Sequence, residues 1–120
     1  MTSISGLIWD NRRAYKKGAD AIAERQRARF AEMVVHARAK SPFYRSQYRD
    51  SPARVEDPEL LPTSNKAMLI ARFDEWSSDR DVTLAEAEAF AQDTSRIGER
   101  FRGRYTLATT SGTTGRRGIF

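Results

Sequence analysis

An amphipathic pattern over residues 20–39 is the strongest constraint on how this chain can fold. Apolar side chains recur there at steps of three and four residues: Ile22, Phe30, Met33, Val34 and Ala37. That spacing places them on one face of a helix about 30 Å long. Asp20 is placed to cap the start of this helix. Ser41-Pro42 is expected to end it, because proline disfavours helical backbone in the residue before it.

A proline-rich segment at residues 41–62 is interpreted as a connector, which Phe43, Tyr44 and Tyr48 would hold against the rest of the protein. A second helix is predicted over residues 64–76, with Leu69, Phe73 and Trp76 on one face. The sequence to this point therefore indicates two helices joined by an irregular but anchored stretch.

The sequence Thr83-Leu84-Ala85-Glu86 is a capping box, which predicts the start of a third helix. Its apolar face would comprise Leu84, Ala87, Phe90 and Ala91. Residues 105–109 are β-prone and predict a strand, whereas residues 119–120 are too short to pair with it. We therefore expect a mostly α chain with a C-terminal strand and loop.

A loop rich in glycine and hydroxyl side chains follows that strand. Its residues are Thr110, Ser111, Gly112, Thr113, Thr114, Gly115, Arg116, Arg117 and Gly118. Glycines let the backbone turn successive N–H groups into one concavity that binds anions, and hydroxyls and guanidiniums add donors. Residues 110–117 are therefore predicted to contact phosphate. The alternative is an ordinary hairpin turn. The loop lacks the glycine spacings of nucleotide triphosphatases and of dinucleotide-binding proteins.

The order Ser111-Gly112-Thr113-Thr114-Gly115 resembles the signature loop of adenylate-forming enzymes, the acyl-CoA synthetase and ligase superfamily. Residues 103–109 resemble the strand that leads into that loop. Segments at residues 36–44, 61–66 and 73–76 are similar in order and spacing to the phenylacetate–CoA ligase-like branch. Many acyl-CoA synthetases carry Pro-Lys-Gly after the second loop glycine, whereas this chain has Arg116-Arg117-Gly118. The phenylacetate-like branch often lacks this lysine too.

The resemblance implies an α/β ligase that activates a small carboxylic acid with Mg-ATP. The acyl adenylate would then pass its acyl group to a thiol, with coenzyme A as the expected acceptor. On this interpretation residues 1–19 form a basic arm, 20–103 a helical N-terminal subdomain, and 104–120 the start of the adenylation core. We expect the chain to be the N-terminal piece of such a ligase and to be inactive alone, with the catalytic residues beyond residue 120.

Charge supports a second hypothesis, from another class of protein. The net charge of +5 lies in residues 1–40, which hold nine Lys/Arg and four Asp/Glu. A basic helical module could bind nucleic acid or another anionic partner, or serve as an interaction domain. Acidic residues interrupt the basic run, and aromatic residues do not alternate with it. Nucleic acid is therefore the less favoured partner, and a solvated helix face is the simpler interpretation.

The remaining sequence signals are weak. No apolar run reaches the roughly 18 residues of a membrane span, no secretory leader is recognisable, and the absence of cysteine fits a cytoplasmic protein. His36 is the only histidine, so no metal site is expected, and a surface or semi-buried position on the helix is favoured. Lys66 falls in the first turn of a predicted helix, where its charge opposes the dipole. A locally unfavourable position can be kept for a contact elsewhere, but an exposed lysine remains the plain interpretation.

Overall fold

The computed structural model describes residues 3–111 and 118–120. Within this part the chain is mostly helical, and two single turns of 3₁₀ helix lie at Pro58–Leu60 and Thr94–Arg96. The six helices of the described residues are α1 (Ile4–Lys17), α2 (Ala19–Lys40), α3 (Pro42–Gln47), α4 (Lys66–Ala71), α5 (Phe73–Trp76) and α6 (Leu84–Gln92). β pairing among these residues is limited to two isolated antiparallel bridges. The expectation of a mostly α chain is confirmed, whereas the predicted strand at 105–109 is reduced to bridges.

Helix α2 confirms the helix predicted over residues 20–39, with two differences. Its N-cap is Gly18, whose φ of 92° lies in a region that glycine adopts without strain, and the predicted Asp20 cap is wrong. Asp20 lies instead in the first turn, where its charge complements the helix dipole. Val34 is buried as predicted, together with Ala31. Met33, which was predicted on the same face, is 57% exposed.

Helix α1 was not predicted, although Ile4, Leu7, Ile8 and Ala14 recur in it at helical spacing. The Ser3 hydroxyl caps it by accepting from the Gly6 N–H at 3.1 Å. The helix folds back against α2, where the Asp10 carboxylate pairs with Arg25 at 2.6 Å and Arg29 at 2.8 Å. The predicted basic arm is therefore a helix held by charge pairs, with Ala14 as its buried residue.

Ser41 connects three elements and is itself buried. It ends α2 as predicted, and its hydroxyl caps α3 by accepting from the Tyr44 N–H at 3.3 Å. The same hydroxyl donates to the Glu75 carbonyl oxygen at the end of α5, at 3.0 Å. The predicted connector is thus partly helical. Phe43 is fully buried in α3, which confirms its anchoring role.

The helix predicted over residues 64–76 is two helices. Arg72, at φ −122° and ψ 35°, leaves the helical region and separates α4 from α5. The cap of α4 is Asn65, whose side chain accepts from the Met68 N–H at 3.0 Å. Phe73 is buried, and its ring packs edge-on against Trp76 with centroids 5.7 Å apart. Phe73 and Trp76 therefore pack together as predicted, but they lie on a helix separate from α4.

The capping box of α6 is half formed. The Thr83 hydroxyl accepts from the Glu86 N–H at 3.3 Å, as predicted. The Glu86 carboxylate instead pairs at 2.9 Å with Arg102, whose backbone is in a left-handed conformation at φ 50°. Ala87 is fully buried, whereas Ala91, predicted on the apolar face, is exposed. This helix packs against the segment that follows the predicted loop.

Replacing Phe43 with Ala tests the helical core. Phe43 is fully buried, so its removal should lower the free energy of unfolding by about 3 kcal/mol. Urea unfolding followed by circular dichroism measures the change. The control is Met33→Ala on exposed α2 surface, which should cost less than ~1 kcal/mol. Equal losses in the two variants would contradict this assignment of the core.

Candidate phosphate-binding site

The backbone at the two ends of the predicted loop pairs in antiparallel fashion. Ala108 and Phe120 exchange two hydrogen bonds, at 2.8 and 2.9 Å, and the Thr110 N–H donates to the Gly118 carbonyl at 3.0 Å. We call this pairing of residues 108–110 with 118–120 the stem. The expectation that residues 119–120 are too short to pair is therefore wrong. Three backbone hydrogen bonds close the stem without a longer sheet.

The Thr110 hydroxyl lies at the point where the stem opens into the loop. Its oxygen accepts from the Gly118 N–H at 2.9 Å and from the Lys66 ammonium at 3.0 Å. A hydroxyl has two acceptor positions and one proton, so these bonds leave the proton of Thr110 as a donor to a ligand. Ser111 follows and is exposed. The other predicted phosphate contacts lie outside the described residues: Gly112, Thr113, Thr114, Gly115, Arg116 and Arg117.

Lys66 is a residue that the sequence interpretation did not assign to the site. It begins α4, is half-buried, and reaches a hydroxyl 44 positions along the chain. The plain interpretation of an exposed lysine is therefore wrong. The available signal was its place in the first turn of a helix, where a positive charge opposes the dipole.

Gly118 lies in close contact with two side chains, and its φ is not in the left-handed region. A Cβ atom at this position would lie 2.7 Å from Cε of Lys66 and 2.7 Å from Cε2 of Phe120. Such distances are shorter than carbon–carbon van der Waals contact, which is about 3.5–4.0 Å. A side chain at position 118 would therefore displace the ends of the Lys66 and Phe120 side chains.

Apolar packing fixes the stem against the helices. Ile119 is buried with Ala87 and Phe101, next to the partly buried side chains of α6. On the other side, the Phe120 ring packs edge-on against Trp76 with centroids 6.3 Å apart. The stem is thereby held between α5 and α6.

Asp79 holds the segment that leads into the stem. Its carboxylate accepts from the Tyr105 hydroxyl at 2.6 Å and pairs with Arg104 at 2.8 Å. The hydrogen bond from Tyr105, followed by that from the Asp81 N–H, holds the pKa of Asp79 below its usual value. The same bond raises the pKa of the Tyr105 hydroxyl. The segment that leads into the stem is therefore tied to the α5–α6 connection.

An apolar cavity of about 410 Å³ lies beside the stem. Its walls include the aromatic rings of Tyr44 and Trp76 from the helices and, from outside the helices, the side chains of Phe101, Leu107 and Phe120. Because few polar groups converge in it, the cavity suits packing against an apolar surface better than recognition of a phosphate. The polar chemistry is concentrated at Thr110 and Lys66.

Other candidate residues do not form a site in the described part of the chain. His36 is exposed on α2, as expected. Residues 3–111 and 118–120 contain no group of three or more His, Asp or Glu side chains that could hold a metal ion. None of the helices described has both the length and the apolar character needed to cross a bilayer.

Comparison of the sequence with protein-family models, with curated proteins and with solved structures gives no match. The case for a phosphate site consequently depends on the residues of this chain and on their arrangement.

Replacing Thr110 with Val should loosen the stem. The variant keeps the shape of the side chain but removes the acceptor of the Gly118 N–H and of the Lys66 ammonium. We expect a loss of about 1 kcal/mol and faster hydrogen exchange at the Gly118 amide. The exposed neighbour Thr109→Val is the control. Unchanged exchange at Gly118 would contradict the role of this hydroxyl.

The low pKa of Asp79 makes a prediction about pH. A carboxyl with a lower pKa in the folded state stabilises the protein above the unfolded value of about 3.9, and loses this effect as pH falls through the folded value. Asp79→Asn should therefore be less stable than wild type at pH 6, and the difference should shrink below about pH 4. Urea unfolding between pH 3 and 7 measures it.

Asp81→Asn controls for the loss of one negative charge, since Asp81 is exposed in the same segment. A difference between Asp79→Asn and wild type that grows towards low pH would contradict the assignment.

Proposed function

We propose that this chain is the N-terminal part of an adenylate-forming ligase of the phenylacetate–CoA ligase-like type, and that it contacts the phosphates of ATP. The observation that carries the proposal is the closed stem. It brings the Thr110 hydroxyl and the Gly118 N–H together at the base of the Ser-Gly-Thr-Thr-Gly sequence. An ordinary turn needs neither a threonine whose two acceptor positions are filled nor a lysine drawn in from another helix.

The proposed reaction has two steps. A carboxylate oxygen of the acid attacks the α-phosphorus of ATP, and the bond from that phosphorus to the bridging oxygen breaks as pyrophosphate leaves. A thiol, for which coenzyme A is our candidate, then attacks the acyl carbon and displaces AMP. Negative charge moves onto the leaving pyrophosphate in the first step, so donors held in place there lower the barrier.

The described residues supply part of that environment. The proton of Thr110 can point to a phosphate oxygen because both acceptor positions of its oxygen are filled. The ammonium of Lys66 adds positive charge 3.0 Å from the same oxygen. We assign no catalytic residue within the described part, and we place acid and adenine recognition in later parts of the ligase.

The basic face of α1 supports the second candidate function. Four exposed cations lie along this helix: Arg12, Arg13, Lys16 and Lys17. Arg25 and Arg29 add less, because the Asp10 carboxylate offsets their charge. A nucleic acid would therefore meet a short patch of about four cations, which favours weak and salt-dependent binding.

Titration with Mg-ATP and with pyrophosphate, followed by amide NMR, separates the two candidates. Phosphate contact should shift the amide signals of Thr110, Ser111 and Gly118 at millimolar ligand, and the chain should not turn over ATP. Sodium sulfate at equal ionic strength is the ligand control. Thr110→Val is the protein control and should reduce the shifts. Unmoved signals at these three amides would overturn the ligase proposal.

The same NMR measurement with a single-stranded oligonucleotide tests the alternative. Shifts confined to residues 12–17 that disappear at high salt would favour the basic module over the ligase.

A further inference from the structure

We propose that one side of helix α1 binds the surface of an anionic lipid bilayer. This surface shares no residue with the phosphate site, so it is independent of the ligase function proposed above. Helix α1 leaves most of its large apolar side chains in solvent: Ile4, Ile8, Trp9 and Tyr15 are 78%, 55%, 70% and 81% exposed. Exposed apolar side chains that cluster in this way mark interaction surfaces, whereas singly scattered ones need no explanation.

These four side chains lie on the side of α1 that faces away from α2. Ala14 is the buried residue of α1, and α2 is the element packed against that helix. At about 100° of rotation per residue, Ile8 and Trp9 lie about 120° and 140° around the helix from Ala14. Ile4 and Tyr15 lie four and seven residues from Ile8 and share its side. A partner can therefore bind here without displacing α2.

Cations accompany these apolar side chains. Arg12 and Lys16 lie about 160° around the helix from the buried alanine, and Arg13 and Lys17 flank them. All four cations are exposed. Asp10, the one acidic residue of α1, pairs with two arginines of α2. We call the apolar and positively charged surface formed by Ile4, Ile8, Trp9, Arg12, Tyr15 and Lys16 the outward side of α1.

An anionic bilayer matches both properties of the outward side. A helix at a membrane surface buries its apolar side chains about 5–10 Å into the boundary between headgroups and acyl chains, while its cations are attracted to anionic headgroups. The long stems of Arg12 and Lys16 let their charges reach back to the headgroups. Trp9 suits the same depth, because its ring is apolar and its indole N–H is polar. With 14 residues, or about 21 Å, α1 would lie on the bilayer and not span its core of roughly 30 Å.

Two other partners fit the outward side less well. A nucleic acid would pair with the cations but would leave Ile4 and Ile8 in water. A second copy of this chain would cover the apolar side chains, but it would bring the like charges of two α1 helices together, which is unfavourable. A lipid surface with anionic headgroups satisfies both sets of side chains.

Co-sedimentation of the full chain with lipid vesicles tests the proposal. The wild-type chain should bind vesicles made of equal parts phosphatidylglycerol and phosphatidylcholine. It should bind vesicles of phosphatidylcholine alone at least about tenfold more weakly, because each cation near an anionic surface contributes a factor of about five.

The apolar contact is tested by Ile8→Ala combined with Trp9→Ala, which keeps good helix formers in α1. This double variant should bind the anionic vesicles at least about tenfold more weakly, because two large side chains no longer leave water. Ile97→Ala combined with Val35→Ala is the matched control, since both side chains are exposed and lie outside α1. It should change binding less than about twofold, because neither side chain would touch the lipid.

The charge is tested by Arg12→Gln combined with Lys16→Gln, which should weaken binding at least about tenfold. The matched control, Arg27→Gln combined with Lys40→Gln, removes two exposed cations of α2 and should weaken binding much less. Circular dichroism establishes that each variant is folded before its binding is compared.

Tryptophan emission reports whether α1 enters the boundary between headgroups and acyl chains. The emission of the wild-type chain should move to shorter wavelength on binding, because exposed Trp9 leaves water. Trp9→Phe should still bind but should lose most of this change, since the remaining Trp76 already packs against Phe120.

Three outcomes would overturn the proposal. In the first, the wild-type chain does not bind the anionic vesicles. In the second, it binds them but Ile8→Ala with Trp9→Ala binds equally well; charge alone then acts, which favours the nucleic-acid candidate. In the third, the chain forms dimers in analytical ultracentrifugation without lipid and the same double variant abolishes them, so that a second copy covers this surface. None of these outcomes bears on the ligase proposal, which the ATP and pyrophosphate titrations test.

Discussion

The backbone pairing of residues 108–110 with 118–120 is the constraint on which the rest of the site depends. Closing the stem brings Gly118 to Thr110 and turns Ile119 into the core that Ala87 and Phe101 form. A pair this short is marginal in isolation. Here the apolar contacts of Ile119 offset the conformational entropy that is lost when the stem is ordered. The positions of the polar groups of Thr110 and Gly118 therefore follow from the packing of Ile119.

The helices contribute to the site through a few specific contacts rather than through a large common core. Ser41 joins the ends of α2 and α5 and the start of α3 within one buried hydroxyl group. Trp76 extends this unit to the stem by its contact with Phe120 and donates its indole N–H to the Tyr44 hydroxyl at 3.3 Å. The break at Arg72, between α4 and α5, sets the orientation of α4 and hence the position of Lys66.

Local sequence patterns predicted the helices that have an apolar face or a capping residue. They did not predict contacts between residues that are far apart in the sequence. The extents of α2 and the start of α6 follow from periodicity and from Thr83, both of which are visible in sequence. Helix α1 was missed although its apolar side chains recur at helical spacing, and it contacts α2 through Ala14 and the charge pairs of Asp10. The hydrogen bond between Lys66 and Thr110 joins residues 44 positions apart, and short-range sequence patterns do not predict contacts over such a separation. Thr110 itself was predicted from the composition of the loop.

The attachment of α1 has a consequence for the order in which this protein opens. Its contact with α2 buries little apolar surface and relies on a carboxylate shared by two arginines, which dissolved ions screen. The link between the two helices is a single glycine in a backbone region that few other residues adopt. We therefore expect helix α1 to be less stable locally than the stem and its core. A rise in ionic strength should thus weaken the contact between α1 and α2 and leave the apolar contacts of the stem unchanged.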